Sequence, residues 1–453
     1  MNKEETDIHR LGTRLKTLVD TVVSGAQWLS LELPRPHPAS NARNGKHLAL
    51  VAFALPPSTN AGVYRPLSFM RYGSQLGWRV DAFCGEPPHN ESQHGHELLS
   101  LVPPEATLHV VPASTRHPSY RFFSRVDGGF TNAIAYARHA IATLANDPPD
   151  VVLASGPPFF SFVTAFFIAR RFRVPLVLDY RDEWTQCPFD FVSKDGNDVT
   201  WERRCLSAAR VVLFTTESHR RQQLKAFPTL DERKTHVVPN GWEPQDFAEP
   251  DGVPTVPPAG SDRRLRLSHV GNLSGHSSPL DFLETLEQLL LQNPEWESLL
   301  TVQLIGRRSV TSDAAIQSFR FPSVLEVVDH VGKREASRRM QESDALLLIA
   351  NPALERYLPG KLFDYLAARR PVLVFGSRGE SSDLIERLHA GLLCPAGSAR
   401  AFEDALIRLR DFDSALDKEA VTRWLEEHRR DRLATRAFGI IDSVIDERAT
   451  AGE

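Results

Sequence analysis

The chain of 453 residues has only four cysteines, Cys84, Cys187, Cys205 and Cys394, set far apart and never in a CxxC spacing. That argues against a disulfide framework or a zinc site and suits a reducing compartment. No excess of one charge is present: 53 basic against 57 acidic side chains leave a net charge of −4. A general nucleic-acid binder needs a basic field, which this balance does not supply. Arginine pairs such as Arg203-Arg204 and Arg338-Arg339 are scattered and read mostly as solvated faces. Long hydrophobic runs are missing too. The longest, PPFFSFVTAFFIA at 157–169, is too short to span a bilayer and is closed by Arg170-Arg171. The opening MNKEETDIHRLGTRLK is charged throughout and lacks a secretory leader pattern, so a cytoplasmic location is expected. Walker loops, G-x-S-x-G elbows and HExxH helices do not occur. Asp411-Phe412-Asp413 has the DxD metal pattern but follows a helix near the carboxyl end and reads as a solvated turn, so no metal is expected.

What is present points to a large α/β protein. The length is too great for one ordinary core and suits two domains of roughly 200 residues. From Lys46 onward, short apolar runs alternate with helical patterns: HLALVAFA (47–54), RVDAFCG (79–85), TLHVVPA (107–113), VVLASG (151–156), LVLDYRD (176–182) and VVLFTT (211–216). Most lack strict alternation, as strands buried on both faces of a parallel sheet do. Helical stretches at 62–76, 130–146 and 158–172 lie between them. After the Pro/Gly-rich linker DGVPTVPPAGSD the alternation restarts with LRLSHVG (265–271), LTVQLIG (300–306), LEVVDHV (325–331), ALLLIA (345–350), PVLVFG (371–376) and GLLCP (391–395). Repeated β-α units mean doubly wound sheets, and two such domains facing one another create a cleft at the carboxyl ends of their strands.

The predicted organisation has four parts: an extension over 1–45, a first Rossmann-like domain over 46–240, a second over 241–417, and closing helices over 418–453. In the extension, Leu11, Leu15, Leu18, Val22 and Leu29 recur at helical spacing, with Arg14, Lys16 and Trp28 nearby. Two readings are open for residues 5–32: an amphipathic helix in peripheral contact with the inner face of a membrane, or a helix packed on the main body.

Three kinds of segment carry candidate chemistry. After the first strand, Gly62 in LPPSTNAGVYRP opens a helix and permits close approach of a ligand. After the fifth, DYRDEW places Asp179, Arg181 and Asp182 at a strand's carboxyl end, suited to hydroxyl recognition or acid/base work, or to a local ion pair. In the second half, Gly271 and Gly306 end strands, and Arg307 after the latter can pair with a phosphate. The stretch YLPGKLFDYLAARRPVL at 357–373 starts a helix behind Pro359 and Gly360 with Lys361 in its first turn. That cation opposes the helix dipole, so it is either a solvated lysine or part of an anion site, with Asp364 one turn later facing hydroxyls. His269 and His330 read as structural.

Taken together and in order, FALPPSTNAGVYRPLSF, LGWRV, LASGPPFFS, PLVLDYRDEWT, VVPNGWEPQDF, HVGNLSG, LIGRR, VVDHVGKRE, LPGKLFDYLAARRPVL and AGLLCP resemble GT-B-fold glycosyltransferases of the large retaining family four, over roughly residues 47 to 400. The nearest branch is that with an FPP-type N-terminus and a D-[FY]-R-D-x-W motif. The resemblance implies two Rossmann-like domains, the first for an acceptor that is a glycan, a lipid-linked glycan or a small molecule, and the second for a nucleotide-sugar donor. It implies that no cofactor or metal is needed. Catalytic roles would fall to Asp182, Arg181 and Asp179. Donor contacts would fall to Gly62, Gly271, Asn272, Arg307, Val331, Gly332, Gly360, Lys361, Leu362 and Asp364, with Lys361 on the phosphates, Asp364 on the ribose, and Val331 and Gly332, with Glu335 beyond them, where the base is held. The chain departs from the family where Asn272 and Ser277 replace an arginine and a lysine, where Arg356 replaces the first of two spaced acids, and where Arg181 falls on a frequent histidine. A sugar-nucleotide 2-epimerase and a non-catalytic relative that binds a partner are the alternatives.

Overall fold

The computed structural model describes residues 25–32, 46–86, 93–112, 126–247, 264–410, 412 and 417–451. The chain divides into two compact units, Met1–Val238 with Ala434–Glu453, and Pro239–Leu433.

The first unit is built on seven strands: β1 (Lys46–Ala52), β2 (Trp78–Gly85), β3 (Ala106–Val111), β4 (Val151–Gly156), β5 (Leu176–Tyr180), β6 (Val211–Phe214) and β7 (Thr235–Val237). All are parallel, in the order β3-β2-β1-β4-β5-β6-β7. The order reverses between β1 and β4, and in sheets of this kind ligands bind at that switch point, outside the carboxyl ends. Continuous apolar runs are what a sheet covered on both faces demands, and β1 from His47, β4 and β5 are buried residue after residue. The phenylalanine-rich run is the helix Phe160–Phe172, whose Phe160, Phe162, Phe166, Phe167 and Phe172 are all buried. It is an interior helix, which accounts for apolar residues on nearly every side.

The second unit has six parallel strands: β8 (Leu265–Val270), β9 (Leu300–Ile305), β10 (Leu325–Val328), β11 (Ala345–Ala350), β12 (Val372–Gly376) and β13 (Gly391–Cys394). Their order is β10-β9-β8-β11-β12-β13, so its switch point lies between β8 and β11. The fold is therefore two α/β Rossmann-like domains. Each of the twelve strands anticipated from the sequence is found, and β7 is an addition.

Of the extension, residues 25–32 are described, and they form a helix. Trp28 meets Phe130 edge to face at 5.4 Å, while Glu32 pairs with Arg170 at 3.0 Å and Arg204 at 2.7 Å. This part packs on the body of the first unit, although Leu29 stays exposed. Leu11, Leu15, Leu18 and Val22 lie outside the described residues, as do Asp411, Asp413 and the linker 248–263. Among the described residues, no helix is long and apolar enough to cross a membrane. The four cysteines are buried free thiols.

Candidate functional site

In the first unit, the loop after β5 carries the DYRDEW residues, and their contacts sort them sharply. Asp179 is fully buried. Arg65 donates to it from Nε at 2.9 Å and Nη2 at 2.7 Å, and Ser155 Oγ of β4 donates at 2.7 Å. With no surface to offer a substrate, Asp179 cannot take the catalytic role expected of it. It is the centre of a buried ion pair that ties β4 and β5 to the helix Tyr64–Gln75. Arg181 is occupied too. Its guanidinium donates to the carbonyls of Gly62 at 2.6 Å, Gly156 at 3.2 Å and Pro157. A Cβ at Gly62 would lie 2.2 Å from Arg181 Nη1, so the glycine makes room for this arginine rather than for a ligand. Here the expected catalytic Arg181 and ligand-facing Gly62 prove to be a brace between the loops after β1, β4 and β5.

Asp182 differs. Its carboxylate receives no hydrogen bond from the described residues, and burial pushes it up to about 6, with Arg181 opposing. A half-buried acid without a donor of its own, at a strand's carboxyl end, is positioned to accept one from a ligand. What holds it there could not be read locally. Trp184 stacks on Phe159 at 5.1 Å and donates Nε1–H to Asp198 at 3.1 Å. Asp198 also accepts from the Asp127 backbone and Ser193 Oγ. Glu202 accepts from Thr185 N–H at 3.1 Å, Thr185 Oγ1 at 2.5 Å, Tyr180 at 3.1 Å and Gln223 at 2.7 Å. Burial outweighs these donors and pushes Glu202 up to about 7. Such long-range partners leave no spacing signal in the sequence.

Replacement of Asp182 separates a catalytic acid from a structural one. Asp182→Asn should lower turnover by about 10²-fold or more if the carboxylate takes part in proton transfer. Stability should hold or rise at pH 7. The folded carboxyl titrates above its ordinary value, so its charge costs stability at pH values above about 6, and that cost disappears as the pH falls below the unfolded value. A thermal melt beside a turnover assay decides: a lower melting temperature with normal turnover per folded molecule would make Asp182 structural.

In the second unit the helix Gly360–Ala367 follows β11, next to the switch point. Leu362, Phe363, Leu366 and Ala367 are buried, as its apolar spacing predicts. Tyr365 is buried as well. Its hydroxyl accepts from Val270 N–H at 2.8 Å and donates to the Val270 carbonyl at 3.1 Å, which fixes the helix to the end of β8. Pro359 at the N-cap has no N–H, and no side chain caps the first turn. Lys361 lies across Gly271, where a Cβ would sit 3.1 Å from Nζ and where φ is +146°. Its Nζ is 3.5 Å from His269 Nε2. His269 is buried and bonds to the backbone of Leu347 and Asn272; burial and the Lys361 charge hold its pKa well below the ordinary value, so it is neutral. Among the described residues no carboxylate pairs with Lys361, and burial lowers its ammonium to about 8. A half-buried cation beside an uncapped helix N-terminus, with no counter-charge among the described residues, is a site for an anion.

One turn on, Asp364 pairs through Oδ2 with Lys333 Nζ at 2.5 Å, while Oδ1 is buried with no hydrogen-bond partner among the described residues. Lys333 was not anticipated, nor was Asp246, whose carboxyl burial pushes up while Lys333 and Arg430 pull it down. Val331 and Gly332 lead into the helix Lys333–Gln341 and are half-buried. Gly360, Asn272 and Arg307 are exposed, and Leu362 is buried, so Leu362 can offer a ligand only its backbone. Glu335 is engaged by Arg338 and Arg339. Arg308, next to Arg307, is claimed by Asp313 at 2.6 Å and Asp329 at 2.7 Å. Arg356 stands beside Glu355 at 3.5 Å.

Two family models match the chain: a glycosyl transferase 4-like domain over residues 63–241, and glycosyl transferases group 1 over residues 264–411. Curated proteins give no match in sequence. Among solved structures, the sucrose-phosphate synthase of Thermosynechococcus elongatus is similar with a TM-score of 0.67 at 14% identity, covering 89% of this chain and 100% of that one. The trehalose 6-phosphate synthase of Burkholderia multivorans follows with 0.63 at 12%, covering 91% and 99%. HepE of Anabaena, in complex with UDP and glucose, gives 0.59 at 12%, covering 88% and 100%. These identities bear on the fold, and the two matched domains bear on the family. With a 4-like domain followed by a group 1 domain on a GT-B fold, the chain belongs to the GT-B glycosyltransferases of the family 4/1-like kind.

Proposed function

We propose that this chain transfers a sugar, a hexose by its resemblance, from a nucleotide-sugar donor to a glycan, lipid-linked or small-molecule acceptor, with retention of configuration. The second unit holds the donor and the first the acceptor. One observation carries the reading: the half-buried ammonium of Lys361, with no carboxylate partner among the described residues, at an uncapped helix N-terminus beside the switch point. A departing nucleoside diphosphate is the ligand class that supplies its missing charge. Asp364 Oδ1 supplies the acceptor a ribose hydroxyl needs. The transition state is oxocarbenium-like, as in glycoside hydrolysis, and the positive helix end and Lys361 stabilise charge on the leaving diphosphate. Asp182 receives the acceptor hydroxyl. This chemistry calls for no metal, since the cationic groups take that part. HepE, a structural neighbour, is complexed with UDP, and the same diphosphate is a suitable first probe here.

Arg356, Asn272 and Ser277 favour a second reading, a relative that binds nucleotide without turnover. A thermal-shift panel of UDP-, GDP- and dTDP-sugars tests the common part. A donor present at 100 times its Kd stabilises the fold by about 2.7 kcal/mol. One base class should therefore raise the melting temperature by several degrees. A flat panel would sink both readings.

A further inference from the structure

We propose that Lys333 is a positioning residue for nucleotide recognition. By occupying Asp364 Oδ2 it leaves Oδ1 as a single directed acceptor, so the ribose is held through one hydroxyl rather than both. The proposal rests on the second unit being the donor site.

The two lysines of this region do different work. Lys361 has no carboxylate partner among the described residues and suits an anion. Lys333 is held by Asp364 at 2.5 Å and lies near enough to Asp246 to pull its titration down, so its charge is already matched. Lys333 is also the first residue of the helix Lys333–Gln341, behind an N-cap glycine with no side-chain cap. A cation there opposes the helix dipole. Its place there finds a reason outside its own helix in the reach across to the helix Gly360–Ala367.

The consequence for Asp364 is geometric. A free carboxylate can rotate and accept from two neighbouring hydroxyls at once. With Oδ2 pinned, rotation is blocked and Oδ1 has a fixed direction. That oxygen is buried without a hydrogen bond among the described residues, and buried acceptors are rarely left unpaired. A ligand hydroxyl is the donor that would satisfy it.

The test measures which ribose hydroxyl matters. Full-length wild type, Lys333→Met and Lys333→Arg would be titrated calorimetrically with UDP, 2′-deoxy-UDP and 3′-deoxy-UDP, and with the matching GDP set. Wild type should lose about 10-fold or more in affinity for one deoxy form and less than about 3-fold for the other, the value of one hydrogen bond to a charged acceptor. Lys333→Met should bring the two deoxy forms within about 3-fold of one another, both weaker than UDP because each lacks one of the two hydroxyls a freed carboxylate accepts, and Lys333→Arg should restore the contrast between them. A merely structural lysine would weaken all three ligands alike and leave the ratio untouched. Retention of the contrast in Lys333→Met overturns the proposal, and so does a wild type that loses both deoxy forms equally or neither. Failure of wild type to bind either diphosphate would overturn the donor-site reading, and this inference with it, before the deoxy comparison begins.

Discussion

Asp179→Ala should lower the unfolding free energy by about 3–5 kcal/mol, because it takes the paired carboxylate away from the buried guanidinium of Arg65. Asp179 has no exposed surface, and Arg65 is nearly as deep. Bidentate geometry and the Ser155 hydroxyl satisfy the carboxylate, so the pair is held well, yet its net value against apolar packing is small. The loss therefore comes from removing one member of a buried charge pair. For a domain of about 200 residues it corresponds to a fall in melting temperature of about 6–20 °C. Replacing both partners, as Arg65→Met with Asp179→Leu, should recover most of it. Denaturant melts of the single and double variants check this. A single-variant loss under about 1 kcal/mol would show that the pair does not hold the loop after β5.

Lys361→Ala should weaken donor binding by roughly 10- to 150-fold, the value of a charge-assisted hydrogen bond of about 1.5–3 kcal/mol. Without nucleotide the same change should raise stability at pH 7. The folded ammonium titrates near 8, below its ordinary 10.5, so carrying the charge costs folding free energy at pH values below about 8. That cost fades as pH rises from the folded value to the unfolded one. The pH dependence of binding runs the other way: wild-type affinity for a diphosphate should fall above about pH 8 as the ammonium discharges, while the variant stays flat across that range. Calorimetry at two pH values checks both. A solvated lysine would change neither affinity nor stability.

The strands were legible because a parallel sheet covered on both faces forces continuous apolar runs, as in β11 and β12. β7 escaped because three residues, Thr235–Val237, carry too little pattern. The helix Gly360–Ala367 could be read from its punctuation and its apolar face, and Lys361 stood out by its sign at a helix start. The glycines were legible as close approaches, yet the partner was invisible: Arg181 fills the space at Gly62, and Lys361 lies across Gly271. DYRDEW raised a choice between catalysis and an ion pair, and the fold divides it residue by residue. Asp179 and Arg181 are structural, while Asp182 is left with an unengaged carboxylate. Lys333, Asp246, Asp198 and Glu202 were missed, because each acts on a residue brought near only by the fold. Sequence spacing carries no trace of such pairs.

The most direct test of sugar-nucleotide chemistry is incubation of the full chain with UDP-, GDP- and dTDP-sugars and no acceptor, followed by separation of the nucleotides. Slow release of the diphosphate from one donor is expected, with no isomeric sugar nucleotide formed and with release strongly reduced in Lys361→Ala. A new sugar nucleotide, or donors recovered intact from a protein that binds none of them, would contradict it.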